Sequence, residues 1–331
     1  MKHFLILAVL GSLICKPLFA EEKIIKVGII GLDTSHAVAF TTILNKGPKN
    51  PADAEKFTGV KVVAAYPQGS RDIETSISRV PEHTEKVKAM GVTIVDSIDK
   101  LLEMVDAVLL ESNDGRVHLE QIRPVLETGK PVFIDKPVAA SLQDVITIYK
   151  EAADKRAPVF SSSSLRYGAN TQKVRTGVIG KVQSAETFSP AKLEATHPDL
   201  FWYGIHGVES LFTVMGTGCI SVSRGVTNDG LIQVTGRWED GRTGVFRESN
   251  SSDRKGYGGI ARTKSKEAAV GSYDGYDPLL EQVVKFFKTG VSPVSPEETL
   301  EIYAFMEAAD ESKRQSGATI TIKDVMFKAG H

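Results

Sequence analysis

The sequence is poor in cysteine and has almost no excess of either charge. Its 331 residues include 2 cysteines, and the formal net charge is -1 at pH 7. A balanced charge gives no electrostatic reason to expect binding to nucleic acid or to an anionic membrane. Cys15 lies in the leader described below, so Cys219 is the one cysteine of the mature chain. A single cysteine excludes internal disulfides, and we predict a free, buried thiol.

The sequence also lacks an apolar run long enough to make a good membrane span. The one candidate, residues 4–15, follows two basic residues and precedes a polar segment that begins at Glu21. This order is typical of a Sec-type signal peptide, here residues 1–20, with cleavage after Ala20. We therefore expect an exported protein, periplasmic or extracellular, without membrane attachment after cleavage.

The remaining chain has an ordinary globular composition, with 41% hydrophobic and 24% charged residues overall, and its length favours two domains. Across residues 24–160, short apolar strands such as 60–66 and 107–110 alternate with helical patterns. The predicted helices are 35–44, 82–90, 98–104, 117–128 and 142–156. This alternation predicts a Rossmann-type domain built on a doubly wound parallel sheet.

After residue 160 the pattern changes to longer runs of alternating apolar and polar residues. These runs predict the strands 182–188, 220–226, 230–238 and 243–248. Helical spacing returns at 277–287 and 296–315. We predict a second domain of α+β type, residues 161–331, with a largely antiparallel open sheet.

The segment 130–137 predicts a short buried strand that ends on a charged pair and a proline. Because Pro137 disfavours helical geometry at Lys136, the lysine is held extended at the carboxyl end of the strand. Ligands bind at that edge of open α/β sheets, and a lysine there can donate hydrogen bonds to them. An ordinary surface lysine in a strand-to-helix turn is the alternative.

The order of elements, together with Asp135-Lys136-Pro137, resembles the glucose–fructose oxidoreductase/inositol dehydrogenase (Gfo/Idh/MocA) family. Residues 27–31 look like its first strand, 106–110 like its fourth, and 112–118 like its nucleotide loop. Residues 129–137 are similar to its catalytic lysine segment, and 276–298 to its C-terminal helix, loop and helix. The resemblance covers nearly the whole chain after the leader.

The resemblance implies hydride transfer between NAD or NADP and a sugar or polyol. By analogy with the family it also implies a homo-oligomer. Lys136 would hydrogen-bond the reacting oxygen, and His206 would act as acid or base. A structural histidine beside two aromatic residues is the alternative for His206. Trp202, Tyr203 and Arg166 would face the substrate, although Arg166 could instead link the domains by a salt bridge.

The resemblance also implies a set of cofactor-binding residues: Gly31, Asp33, Thr34, Ser35, His36, Arg71, Ser112, Asn113, His118 and Asp135. The glycine fingerprint in this set is incomplete, because Asp33 and His36 replace its second and third glycines. A carboxylate beside a pyrophosphate is repulsive unless it turns away, and Asp33, Thr34 or Ser35 could simply cap the helix. Arg71 could favour a 2′-phosphate or be a surface charge.

Two other functions fit the sequence. The first is a sugar lyase or hydrolase that uses Lys136 and His206 without a cofactor. The second is a non-catalytic protein that stacks a sugar on Trp202 and Tyr203. His36, His118 and His206 could converge on a metal, but their spacing carries no metal signature, and we predict no metal site. Because free nicotinamide cofactor is scarce outside the cytoplasm, an exported oxidoreductase must hold its cofactor tightly.

Overall fold

The computed structural model describes residues 24–250 and 255–331, and the predicted leader, residues 1–20, lies outside the described residues. The described chain forms two sheets with helices packed on them. No helix in these two ranges is long and apolar enough to cross a membrane.

The first sheet has six parallel strands. They are β1 (Ile25–Ile30), β2 (Val60–Tyr66), β3 (Thr93–Ile94), β4 (Ala107–Leu110), β5 (Val132–Ile134) and β6 (Val159–Ser161). The strand order is β3-β2-β1-β4-β5-β6, which is the order of a Rossmann fold. The central strands are apolar on both sides because helices cover both faces of the sheet. The prediction of a doubly wound parallel sheet is confirmed.

Five helices connect these strands. They are α1 (Ser35–Lys46), α2 (Glu74–Lys88), α3 (Ile98–Met104), α4 (His118–Glu127) and α5 (Leu142–Lys155). Ser97 and Ser141 cap α3 and α5 by accepting hydrogen bonds from the backbone of the first turn. Predicted and observed bounds differ most at α2, which begins well before the predicted start at residue 82. Pro81 lies inside this largely polar helix, and for these two reasons the first half of the helix was not predicted from the sequence.

The second sheet has seven strands. They are β7 (Ser184–Ser189), β8 (Cys219–Val226), β9 (Ile232–Trp238), β10 (Thr243–Glu248), β11 (Gly258–Arg262), β12 (Glu267–Val270) and β13 (Ile320–Thr321). Their order is β12-β11-β7-β10-β9-β8-β13, and β7 with β10 is the parallel pair in an otherwise antiparallel sheet. The predicted, largely antiparallel sheet is confirmed, although the sequence did not predict β11, β12 or β13.

The second half of the chain adds five helices. They are α6 (Ala169–Arg175), α7 (Ile205–Met215), α8 (Asp277–Thr289), α9 (Pro296–Arg314) and α10 (Ile322–Lys328). Every residue of α7 is buried, because this helix lies between the second sheet and the rest of the molecule. A π-helical turn, Leu200–Gly204, leads directly into α7. Such turns occur often at functional sites, since the wider turn changes the direction of its side chains.

Helix α8 does not pack on the second sheet but on the first. Its apolar side shares one core with α1 and with residues of β1, β5 and β6. The rings of Phe286 and Phe160 meet edge to face with centroids 5.2 Å apart. This packing carries the segment before α8, which includes Tyr273 and Tyr276, to the carboxyl ends of the first sheet's strands.

Candidate active site

A cavity of about 350 Å³ lies at the carboxyl ends of the first sheet's strands, between that sheet and helix α7. This is the edge at which ligands bind in open α/β folds. Nine of the predicted site residues line it: Thr34, Ser35, His36, Asn113, Asp135, Lys136, Trp202, Tyr203 and His206. The predicted lysine and histidine therefore share one cavity, although they come from different halves of the chain.

Lys136 follows β5, and the turn after it is held by backbone hydrogen bonds. Its N–H donates to the Asp135 carboxylate at 2.8 Å, and its peptide bond to Pro137 is cis. One residue further, the Val138 N–H donates to the buried Tyr303 hydroxyl at 2.6 Å. The Lys136 ammonium lies 5.5 Å from the centre of the Tyr203 ring, within reach of a cation–π contact. The lysine is thus presented to the cavity from a fixed backbone.

His206 lies in the first turn of α7 and is buried. Its Nδ1 is 2.7 Å from the Ser163 hydroxyl, which leaves Nε2 for a ligand in the cavity. Burial, and after it the nearby Lys136 charge, holds the pKa of His206 well below its ordinary value. The imidazole is therefore neutral near pH 7 and can accept a proton.

Four of the chain's 8 tyrosines line the same cavity. The Tyr203 and Tyr257 hydroxyls are 3.0 Å apart, and the rings of Tyr273 and Tyr276 meet edge to face at 5.5 Å. Trp202, beside them, packs against the His197 ring with centroids 4.8 Å apart. Aromatic side chains of this kind offer an apolar face for a sugar ring and hydroxyls for its rim.

Asp33, in place of the fingerprint's second glycine, turns away from the cavity. Its carboxylate is fully buried and accepts hydrogen bonds from the Asn113 N–H at 2.9 Å and the Ser76 hydroxyl at 2.7 Å. Burial outweighs these bonds and raises the pKa of Asp33. The repulsion expected between this carboxylate and a pyrophosphate is therefore relieved by its orientation.

The turn before α1 fits the phosphate side of a dinucleotide. Gly31 has φ +91°, and a Cβ there would lie 2.4 Å from the Ser112 nitrogen, so the two loops touch through bare backbone. Thr34 caps α1 through its hydroxyl, and the start of the helix faces the cavity with Ser35. A helix N-terminus favours an anionic group. These residues fit the phosphate and nicotinamide half of the cofactor.

The adenosine half would lie between the ends of β2 and β4, and side chains bridge that gap. The Ser70 hydroxyl is 2.8 Å from carboxylate oxygens of both Asp72 and Asp114. Arg116 donates to the same two carboxylates, including a 2.7 Å bond to Asp114. This set of four residues, the Arg116 bridge, joins the two loops. Arg71 is exposed and lies outside the cavity lining.

Beneath the start of α1, His36 meets two buried acids. Its Nδ1 lies 2.7 Å from Oδ2 of Asp135, and Glu111, at the end of β4, is fully buried beside them. Burial, then Asp135, raises the pKa of Glu111 well above its ordinary value. Burial also acts to raise the pKa of Asp135, but His36 outweighs it and holds that pKa at about 2.

Three predicted site residues have other contacts. Both ring nitrogens of His118 face backbone oxygens, those of Val138 and Ser112, so this histidine does not converge with His36 and His206. Arg166 is buried and pairs with Glu209 at 2.7 Å and with Glu298 at 2.8 Å. These ion pairs are structural, but all three residues lie within 161–331, so they do not link the two predicted domains. Ser112 is buried behind Gly31.

Several residues that line the cavity or lie behind its lining were not predicted from the sequence. Ser163, which holds His206, lies in the serine run that marked the domain boundary. Tyr257, Tyr273 and Tyr276 come from loops around β11, β12 and α8 that carried no strand signal. Glu111 offered one clue, since an ionisable residue directly after an apolar strand is unusual in a buried setting.

Comparison with known proteins shows which protein family this chain resembles. A family model described as an oxidoreductase family with NAD-binding Rossmann fold, Gfo/Idh/MocA, matches residues 25–163. An uncharacterized oxidoreductase from Streptococcus pneumoniae serotype 4 is 24% identical over 147 residues, which are 42% of this chain and 40% of that protein. The match thus spans less than half of that relative.

Solved structures resemble the chain over most of its length. A probable dehydrogenase from Thermotoga maritima has a TM-score of 0.69 at 20% identity, covering 91% of this chain and 99% of that one. A Lactobacillus casei myo-inositol dehydrogenase, solved with NAD(H) and myo-inositol, has a TM-score of 0.69 at 16% identity, covering 90% and 96%. The scyllo-inositol dehydrogenase of the same organism, solved with NAD(H) and scyllo-inositol, has a TM-score of 0.68 at 16% identity, covering 91% and 100%. At these identities the likeness establishes the fold alone.

The fold joins a Rossmann-type parallel sheet to an α+β half with a mostly antiparallel sheet, and the cavity lies at the edge of the first sheet. Residues 25–163 match the Gfo/Idh/MocA oxidoreductase family, and the resemblance found in the sequence is confirmed. The predicted class of cofactor, a nicotinamide dinucleotide, is the one that this family binds.

Proposed function

We propose that this protein is an exported oxidoreductase that acts on a sugar, a polyol or a sugar derivative and keeps its NAD or NADP tightly bound. The observation that carries the proposal is the meeting of Lys136 and His206 in one cavity with four tyrosines and the start of α1. Family membership supports the redox class. The inositol complexes of the structural relatives support the substrate class by analogy only.

The proton in this reaction goes to His206. The Nδ1–H of His206 donates to the Ser163 oxygen, so that Nε2 carries the lone pair that accepts the substrate's hydroxyl proton. Ser163 also accepts from the Leu165 N–H at 3.2 Å, and one hydroxyl oxygen has two lone pairs for both donors. The lowered pKa keeps the imidazole free of a proton before substrate binds.

Lys136 would donate a hydrogen bond to the same substrate oxygen and stabilise the negative charge that grows on it. The nicotinamide, when bound, would accept the hydride from the carbon. Thr34, Ser35 and Asn113 would hold the cofactor's phosphate side. Tyr203 and Tyr257 would position the sugar ring over these groups.

Tight retention follows from the proposed location. Nicotinamide cofactor is scarce outside the cytoplasm, so an exported enzyme works only if one bound dinucleotide serves many turnovers. Arg116 joins the β2 and β4 loops by 2.9 Å and 2.7 Å bonds to Asp72 and Asp114. This bridge would have to open to admit the adenosine, and its closure over the bound cofactor would then slow dissociation.

The test is to purify the mature protein from its exported fraction, denature it, and assay the supernatant for NAD(H) and NADP(H). We expect close to one dinucleotide per chain, and its identity decides the role of Arg71. A protein without dinucleotide that shows no thermal shift with NAD or NADP would contradict the proposal.

A sugar lyase without cofactor is the second candidate, and the Arg116 bridge favours it as well. If the bridge stays closed, the gap between β2 and β4 cannot admit adenosine, and Lys136 with His206 would serve as acid and base alone. Mass spectrometry of products separates the two candidates when nucleotide-free protein is incubated with the sugar both with and without added NAD or NADP. Loss of two hydrogens indicates oxidation, whereas loss of water or cleavage of the sugar indicates a lyase.

A further inference from the structure

We propose that His36, Glu111 and Asp135 form a binding site for one divalent transition-metal ion at the floor of the cavity. This goes beyond the proposed function, which needs no metal. The three residues are called the floor triad below. One ligand atom of each lies within 4.8 Å of those of the other two, and all three residues are buried.

The first argument is that these ligand atoms have no other partners. Nδ1 of His36, Oε1 of Glu111 and Oδ2 of Asp135 are buried without a hydrogen bond. Nδ1 and Oδ2 are 2.7 Å apart, an ion-pair distance, and neither atom has a hydrogen-bond partner. Leaving such groups unsatisfied in the interior is unfavourable. A common ion between them would satisfy all three.

The second argument is geometric. Two ligands bound at about 2.1 Å and at a right angle around one ion lie about 3 Å apart. The 2.7 Å between His36 and Asp135 is close to that separation. The residues come from the first turn of α1 and from the ends of β4 and β5, so rigid elements hold them. Among the residues that the structure describes, no other three His, Cys, Asp or Glu side chains converge in this way.

The third argument is charge. A metal ion binds such ligands in their deprotonated form, in which two carboxylates and one imidazole carry a charge of -2 that a divalent ion would balance inside the protein. One nitrogen and two oxygen ligands suit Mn²⁺, Fe²⁺ or Zn²⁺. His36 and Asp135 also line the cavity, so coordination positions on that side would remain open to water or to oxygens of a bound sugar. The floor triad thus has the form of a ligand-binding metal site.

No pattern in the sequence indicates this site, because its ligands do not form a spaced motif. The metal set considered from the sequence, His36 with His118 and His206, is not the one that converges. His118 is held by two backbone oxygens, and His206 by Ser163. His36 occupies the position of the fingerprint's third glycine, and its ring would instead supply the nitrogen ligand.

The test uses the full mature chain, treated with a chelator and dialysed, then titrated with Mn²⁺ while the free ion is followed by its EPR signal. We expect saturable binding of one Mn²⁺ per chain. Glu111→Gln keeps the size of the side chain and should weaken binding at least about tenfold. Glu301→Gln is the matched control, because that partly buried carboxylate already accepts from the Gly218 and Cys219 N–H groups, and binding should not change.

Co²⁺ provides a second readout that does not depend on affinity. Its visible absorption bands should appear in the wild-type protein and change when His36→Gln removes the nitrogen ligand, with folding checked by circular dichroism. Absence of saturable Mn²⁺ binding, or equal binding to wild type and Glu111→Gln, overturns the proposal. Either result leaves the assay for released dinucleotide unaffected, so failure of the metal site is distinguishable from failure of the oxidoreductase function.

Discussion

The backbone N–H of Asn113 donates a hydrogen bond to the carboxylate of Asp33 across 2.9 Å, joining the loop after β4 to the loop after β1. These are the two loops between which a Rossmann fold holds its ligand. The aspartate that breaks the glycine fingerprint therefore has a structural role. It fixes the spacing of the loops from the inside of the sheet.

Replacing Asp33 should accordingly affect stability. Asp33→Ala leaves the Asn113 N–H and the Ser76 hydroxyl without their acceptor in a buried place. We expect the free energy of unfolding to fall by about 2–4 kcal/mol, measured by urea denaturation. Asp154→Ala, at an exposed aspartate near the end of α5, is the control and should change it by no more than about 0.5 kcal/mol. An equally small effect at Asp33 would show that its two bonds contribute little.

Lys136 should be needed for turnover but not for folding. Lys136→Met removes the donor to the reacting oxygen and should lower kcat by about 10²–10⁴-fold, with the thermal midpoint nearly unchanged. Lys130→Met is the matched control, since Lys130 precedes the same strand at its opposite end, away from the cavity lining. Unchanged turnover in Lys136→Met would exclude a catalytic role for this lysine, whereas absence of turnover in the wild type would favour sugar binding alone.

Ser163 should act on the reaction through His206. Ser163→Ala removes the acceptor that selects the Nδ1–H tautomer of the imidazole. We expect kcat to fall about tenfold with little change in KM, which corresponds to loss of one hydrogen bond of about 1 kcal/mol. Loss of the same bond destabilises imidazolium, so the acidic limb of the pH–rate profile should move to lower pH.

Ser163→Thr keeps the hydroxyl and should recover part of the rate. A purely structural serine would instead change stability without moving the pH profile. Steady-state kinetics at several pH values, with a melting curve for each variant, separates the two roles.

Stability should fall in acid because of His197. Its Nε2 accepts from the Gly115 N–H at 3.0 Å, and burial lowers its pKa from 6.5 to about 4, although the Asp114 carboxylate 3.5 Å away opposes the shift. The unfolded chain therefore binds the proton first. The stabilisation is fully present above pH 6.5 and is lost as the pH falls towards 4, by up to about 3 kcal/mol.

His197→Gln tests this account, because its amide oxygen can still accept from Gly115 but does not titrate. Unfolding free energies measured between pH 7 and pH 4 should fall less steeply in this variant than in the wild type. Parallel curves for the two proteins would mean that other groups cause the acid sensitivity.

The sequence predicted the strands and helices of the fold better than the residues that form the candidate active site. Strands β2 and β10 were predicted with their observed bounds, because each is a run of β-forming residues closed by turn residues. Lys136 was placed correctly at the edge of the sheet by its position after an apolar run and before Pro137. These features depend on residues that are neighbours in the sequence, so they can be predicted from the sequence alone.

Which side chains line the cavity depends on contacts between residues that are far apart in the sequence. Tyr273 and Tyr276 reach the start of α1 because α8 packs on the first sheet. No local sequence pattern predicts which sheet α8 packs on. The same is true of Ser163 beside His206 and of Glu111 beside His36. The role of Arg166 was open for this reason, since its partners Glu209 and Glu298 lie far along the chain.

The position of α8 has a consequence for how the protein can be assembled. Phe133 and Phe160 of the first sheet are covered by a helix that is synthesised more than a hundred residues later. A shortened chain that ends after β6 would expose these rings and should aggregate. If the protein is exported unfolded, as proposed, this interdependence would delay completion of the Rossmann half until the last third of the chain has emerged. The Rossmann half is therefore not expected to fold without α8, and transferring it to another protein would require α8 as well.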